Sequence, residues 1–325
     1  MRAYIIRRLL LIIPTLLLVT LITFFLVRLV PGDMIDAIYA LDPTCEIDRP
    51  TLEHQLGLDA PAIVQYGRWL GVAPQVDGSF DGVFQGNLGK SWYRQVSVNR
   101  LVADAWPTSV ELGLLALIIS QLIALPVGIY SALRQDTWGD FIARSLAILC
   151  ISIPGFWLAT MVIVMPSIWW GYMRSLTFIR FIENPLGNLE LFIIPAVIMG
   201  MEMAGGTMRY TRTMMLEVLR QDYIRTAWAK GLRERVVTLR HALKNALIPI
   251  VTVIGFQVPV IIGGTVIIEN IFMLPGMGRL TFNAVMGRDH PIVMGTMFLF
   301  SVFLMLANLI VDLTYAYLDP RIRYK

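Results

Sequence analysis

Six stretches of this 325-residue chain are each long and apolar enough to cross a lipid bilayer, and nothing else in the sequence limits its fold as strongly. A spanning helix needs about 20 mostly apolar residues. Windows near 7–29, 108–131, 143–166, 189–208, 246–269 and 293–317 meet that length. Inside lipid every backbone N–H and C=O must find its partner within the protein, so apolar windows of this length predict helices. The expected fold class is an all-α polytopic membrane protein with six transmembrane helices. Composition agrees: 15% of the residues are charged, against about 25% in an ordinary soluble domain.

The formal net charge of +4 raises the question of a nucleic-acid partner. The cations, however, fall in the connections between spans and not on a continuous polar domain. They read as topology signals, and no nucleic acid is expected. Arg2, Arg7 and Arg8 sit at the N-terminus, Arg134 and Arg144 flank the second connection, and Arg321, Arg323 and Lys325 end the chain. The fourth connection, 209–245, carries nine Lys or Arg against Glu217, Asp222 and Glu234. The first loop is acid-rich, with Asp33, Asp36, Asp42, Glu46, Asp48, Glu53, Asp59, Asp77, Asp81 and Asp104. With both termini cytoplasmic, every segment obeys the positive-inside rule. The first window is too long for a signal-peptide core, and "RLVPGD" follows it in place of a cleavage site, so it reads as a retained anchor.

Three regions are expected: an N-terminal span (1–30), an extracytoplasmic cap (31–106) and a core of five spans (107–325) with a cytoplasmic loop at 209–245. Within the cap, 51–72 reads as one or two short amphipathic helices, and the Gly, Asp and Pro content of 74–92 reads as turns. No internal repeat is visible, which weakens an inverted-repeat carrier reading.

Several chemistries lack support. Cys45 and Cys150, and His54, His241 and His290, are scattered singly, without metal-site or disulfide spacing. "FQGNLGKS" (84–91) nearly forms a phosphate loop, but Phe84 stands where its first glycine belongs and no apolar strand leads into it. Neither H-E-x-x-H nor G-x-S-x-G occurs. Among ionisable residues in or near spans, Glu111, Glu269 and Asp312 fall near span ends, where water or headgroups would solvate them. Glu202 alone falls deep enough to need a partner or a wet cavity. Pro126, Pro154, Pro195, Pro249 and Pro259, with Gly205–Gly206 and Gly263–Gly264, mark kinks and close helix contacts.

The basic connection is longer than topology requires. "EVLRQDYIRTAWAKGLRERVVTLRHALKNAL" has helix-forming composition throughout, apart from Gly231. Tyr223, Ala227 and Lys230, with Ile224 and Trp228 beside them, share a helical face before that glycine. After it, Val236, Val237, Leu239, Leu243 and Leu247 recur at helical spacing. The pattern predicts helix, glycine bend, helix, lying along the inner membrane surface with a face free to dock into a partner's groove.

"YIRTAWAKGL...RHALKNALIP" resembles the cytoplasmic signature loop of ABC-importer permeases, in particular the oligopeptide/dipeptide/nickel branch. The general loop reads E-A-A, three residues, G, nine residues, I-x-L-P. It aligns on Arg225, Thr226, Ala227, Gly231, His241, Leu243 and Lys244. Ala227, Gly231 and Leu243 match; the departures at the glutamate, isoleucine and proline resemble the peptide branch. "IIRRLLLIIPTLLLVTLITFFLVRLVPGD" (5–33), "GNLGKSW" (86–92), "WPTSVELGLLA" (106–116), "ENIFMLPGMGRL" (269–280), "DHPIVMG" (289–295) and "DLTYAYLDPRIRY" (312–324) are also similar to that family.

The resemblance implies a type I importer permease fold in a bacterial or archaeal cytoplasmic membrane, with no catalytic chemistry of its own. It implies a homologous second permease, two ATP-binding subunits that carry ATP and magnesium, an extracytoplasmic substrate-binding protein and surrounding lipid. Coupling to the ATPases would fall to Tyr223, Arg225, Thr226, Ala227, Ala229, Lys230, Gly231 and Arg233. Ala227 and Ala229 would allow close docking and the cations would form a charged rim. Glu202 and Glu269 are candidates for the substrate pathway. In the outward loop 270–291, Pro275, Gly276 and Arg279 are candidates for docking the binding protein, as is the long first loop. Peptides are the expected cargo, with nickel chelates, glutathione or opines as alternatives. An ion-coupled carrier and a membrane scaffold with a lipid-binding basic loop are competing readings.

Overall fold

The computed structural model describes residues 2–29, 35, 48–172 and 177–318. Arg321, Arg323 and Lys325, and Asp33, Asp36, Asp42, Cys45 and Glu46 of the first loop, lie outside the described residues. Helices dominate: α1 (Arg2–Leu29), α2 (Arg49–Gln55), α3 (Ala62–Leu70), α4 (Val98–Leu133), α5 (Trp138–Ser152), α6 (Gly155–Trp170), α7 (Pro185–Leu219), α8 (Asp222–Ala229), α9 (Glu234–Val236), α10 (Leu243–Ile271), α11 (Met277–Met286) and α12 (His290–Leu318). A π-helical turn, Val237–Ala242, joins α9 to α10.

Five of these helices are long and apolar enough to span a membrane, or six if the bent pair α5–α6 counts as one span. The window expected as a span over 143–166 corresponds to that bent pair, with Pro154 at the break. Its two halves meet at 88°. The cause is local: Ile153, which precedes Pro154, is extended at φ −86°, ψ 118°, as the proline ring demands of its predecessor. Pro154 itself cannot donate a backbone hydrogen bond and caps the new helix.

By its internal packing the chain divides into two compact units, Met1–Thr108 with Pro275–Met305, and Ser109–Leu274 with Leu306–Lys325. In the first unit the short cap helices expected within 51–72 form as α2 and α3. Helix α3 is fixed against α1: Tyr66 Oη lies 2.8 Å from Thr20 Oγ1, and Phe24, Tyr66, Leu70 and Met294 bury one another. A second cluster gathers Leu88, Val98, Val102 and Ala105 with Met277, Ala284, Ile292 and Val293. Ser91 Oγ donates to the buried carboxylate of Asp289, tying the glycine-rich stretch to the start of α12. The "GNLGKS" segment is thus a structural turn, bound through Ser91. A cleft of about 710 Å³ opens in this unit, lined by Phe24, Arg28, Trp69, Lys90, Trp92 and His290 among others.

The second unit is a helix bundle around α7. Small residues let neighbours approach closely. A Cβ on Gly205 would fall 2.7 Å from the Ala147 carbonyl oxygen, and one on Gly128 would fall 2.7 Å from Thr211 Cβ. A polar network crosses three helices. Gln121 on α4 donates to Gln257 on α10 at 3.1 Å, and Gln257 donates to Thr207 Oγ1 on α7 at 2.8 Å. Side-chain amides bridging spans in this way are a recognised adhesive between membrane helices.

Candidate coupling element

At the end of α7 the chain turns into α8. The last turn of α8 closes in a Schellman arrangement: Gly231 N donates to Trp228 O at 2.8 Å and Leu232 N to Ala227 O at 3.4 Å. That geometry needs a left-handed residue just past the helix, and Gly231 supplies it at φ +75°. Nothing lies within 4 Å of a Cβ placed on Gly231, so the requirement is conformational and not steric. Arg233 then returns to extended backbone and α9 begins at Glu234.

The inner face of α8 is its foot. Ile224 is fully buried and Ala227 nearly so, in a cluster with Met215 of α7, Ala132 of α4, Val237 and Ala242 of the π-turn, and Ala246 and Ile250 of α10. Tyr223 accepts a 2.9 Å hydrogen bond from Asn245 Nδ2. The outer face is open: Arg225, Thr226, Ala229, Lys230, Gly231 and Arg233 are exposed, as are Tyr223, Trp228 and Leu232. Arg225 makes only a loose ion pair with Asp222, 3.6 Å apart and exposed on both sides. The expectation that Ala227 belongs to an open docking face is corrected here. Its small side chain serves close packing within this chain, and Trp228 and Leu232 take the outward positions. The bend itself forms where the sequence placed it. The π-turn that follows was not legible, because apolar spacing does not distinguish a five-residue step from a four-residue one over so short a stretch.

Of the two span carboxylates, Glu269 departs from its expected solvated position. Glu269 is fully buried and accepts a hydrogen bond from Ser109 Oγ. Glu202 is exposed on this chain's surface, with its carboxylate against the start of α6; a Cβ on Gly155 would fall 2.7 Å from Glu202 Oε2. For Glu269, position near a span end was a poor guide, since burial depends on which side of the helix faces a neighbour. In the loop before α11, Pro275 is exposed, Arg279 is half-buried, and Gly276 is buried. Gly276 is corrected as a docking candidate, because the adjoining Met277 and Gly278 are drawn into the core.

Sequence reasoning missed a further cluster. Asp140, at the start of α5, is fully buried and bound by Arg212 of α7 and Ser131 of α4. The Asp and Arg are 72 positions apart, and no local spacing signals their meeting.

A bundle of helices long and apolar enough to span a membrane, with an exposed, cation-rich short helix on one connection, defines a polytopic membrane component. The chain matches the family described as binding-protein-dependent transport system inner membrane component over residues 124–324, and the N-terminal module of such membrane components over residues 1–113. It belongs to that family and is a multi-pass protein of the bacterial inner membrane. A Brucella abortus protein named for a peptide transport system permease is 39% identical over the whole of both chains. The oligopeptide transport system permease protein AppB of Bacillus subtilis and the dipeptide transport system permease protein DppB of Escherichia coli are each 35% identical, again over the whole of both chains. A crystal structure of an amino acid ABC transporter with histidines shares the fold. It superposes with a TM-score of 0.50 at 12% identity, covering 67% of this chain and 94% of that one.

Proposed function

We propose that this chain is one of two homologous permease subunits in an ATP-driven peptide importer, with its termini in the cytoplasm and its cap outside. The carrying observation is the α8 knob: a foot of Ile224 and Ala227 rooted among α4, α7 and α10, and an open face of Tyr223, Arg225, Thr226, Trp228, Ala229, Lys230 and Arg233. Displacing a close-packed foot moves what it is packed against, because interiors yield little. An ATP-binding subunit gripping the open face would therefore pull on the ends of three core helices at once. Cations at the rim would set register and approach more than affinity. The chain supplies no hydrolytic chemistry; ATP and magnesium belong to the partner ATPases. Exposed Glu202 and buried Glu269 remain pathway candidates, and Pro275 and Arg279 docking candidates for the binding protein. The full-length likeness to relatives named for peptide transport supports peptide as cargo.

The test is co-expression with the neighbouring permease, ATPase and binding-protein genes, followed by peptide uptake and peptide-stimulated ATP hydrolysis in proteoliposomes. Both activities should require all partners. Uptake by the lone chain, driven by an ion gradient, would replace the proposal with a carrier.

A further inference from the structure

The corner where α4 turns into α5 carries more positive charge than its own carboxylates use. Arg212 is paired with Asp140, with Nε and Nη2 each 2.8 Å from a carboxylate oxygen. Asp140 also accepts from Ser131 Oγ and from Asp136 N. That leaves Arg144 at 3.4 Å from Asp140 Oδ2, with Nε and Nη2 buried and no hydrogen-bond partner among the described residues. Asp136 stands 4.0 Å from Arg144. Arg209, one turn before Arg212, is exposed and shares with Arg144 and Arg212 the wall of a cavity of about 20 Å³. Three guanidiniums against Asp136 and Asp140 leave one net positive charge.

The surroundings are apolar and exposed. Trp138, the first residue of α5, is 84% exposed, and Phe141, Ile142, Ile148 and Leu149 continue an exposed apolar stripe along the same helix. Tryptophan marks the bilayer interface, and basic pockets between spans on the cytoplasmic side take acidic headgroups.

We propose that this corner binds the phosphate of one anionic phospholipid. Arg209 and the exposed part of the Arg144 guanidinium hold the phosphodiester at the surface beside the Asp140–Arg212 pair, and the acyl chains follow the stripe below Trp138. A phosphodiester of single negative charge neutralises the surplus. Placement on the cytoplasmic leaflet rests on the orientation proposed above. Binding in detergent needs neither orientation nor transport, so either idea can fail without the other.

The assembled importer, purified in detergent with mixed phosphatidylglycerol and phosphatidylcholine, is examined by native mass spectrometry. Phosphatidylglycerol should be retained at least about fivefold over phosphatidylcholine, the effect expected of one basic side chain at a charged surface. Arg144→Gln and Arg209→Gln should each remove most of that preference. Arg134→Gln, at an exposed position on the same corner outside the cavity wall, should not. If Arg144→Gln fails to assemble, Arg209→Gln carries the comparison. Equal retention of the two lipids, or equal loss with Arg134→Gln, overturns the site. Displacement of the lipid by millimolar inorganic phosphate overturns the lipid assignment in favour of free phosphate.

Discussion

Arg212 grips Asp140 through two parallel hydrogen bonds, Nε to Oδ1 and Nη2 to Oδ2, both 2.8 Å, and the carboxylate has no exposed surface. The pair fixes α5 to α7 within ten residues of the start of α8. A paired buried charge tolerates loss of both partners far better than loss of one, because the survivor is left unsolvated. Asp140→Asn or Arg212→Met should each destabilise the second unit by about 3–5 kcal/mol. Thermal unfolding of the detergent-purified importer measures this, and the double substitution should recover part of the loss.

Gly231→Val tests the bend without introducing a clash. A β-branched residue at φ +75° costs on the order of 1–2 kcal/mol of backbone strain, and nothing nearby obstructs the side chain. Membrane insertion and subunit assembly should persist, while peptide uptake per ATP hydrolysed falls. Uptake and hydrolysis are measured in the same proteoliposomes; an unchanged ratio would remove Gly231 from coupling.

The two faces of α8 should respond differently. Ala227→Phe forces a large ring into a filled cluster and should destabilise by about 1–3 kcal/mol. Lys230→Ala, on the open face, should leave melting unchanged but slow ATPase association and weaken its salt dependence. Melting curves and surface-immobilised binding kinetics separate these outcomes.

In the cap, Asp59 Oδ2 lies 2.7 Å from His54 Nδ1, and that hydrogen bond holds the Asp59 carboxyl below its ordinary value. A depressed carboxylate stabilises above its unfolded value near about 3.9. The contribution disappears as pH falls through the lower folded value. Amide protection factors at 56–62, corrected for the intrinsic pH dependence of exchange, should fall at acid pH in the native protein, and His54→Ala should flatten that dependence.

Much of this architecture is written locally. Long apolar windows located the spans, and the short cap helices followed from amphipathic spacing. Gly231 announced its bend because a left-handed turn has few other solutions. What stayed hidden depends on contacts between distant segments. Ala227 and Trp228 are neighbours in sequence, yet one packs on Ile250's cluster and the other faces outward. Glu269 falls near a span end in the sequence, yet the side of the helix it occupies buries it completely. Pro154 signalled a break, but only the residues on either side set its angle.

The most direct measurement places a cysteine at Ala229 on the open face of α8 and asks what it touches in a working importer. Ala229→Cys should crosslink to an ATP-binding subunit from the cytoplasmic side, with a yield that changes between nucleotide-free and ATP-trapped states. Labelling of that cysteine by an impermeant reagent added outside the cell, or no contact with the ATPase during turnover, would contradict the account.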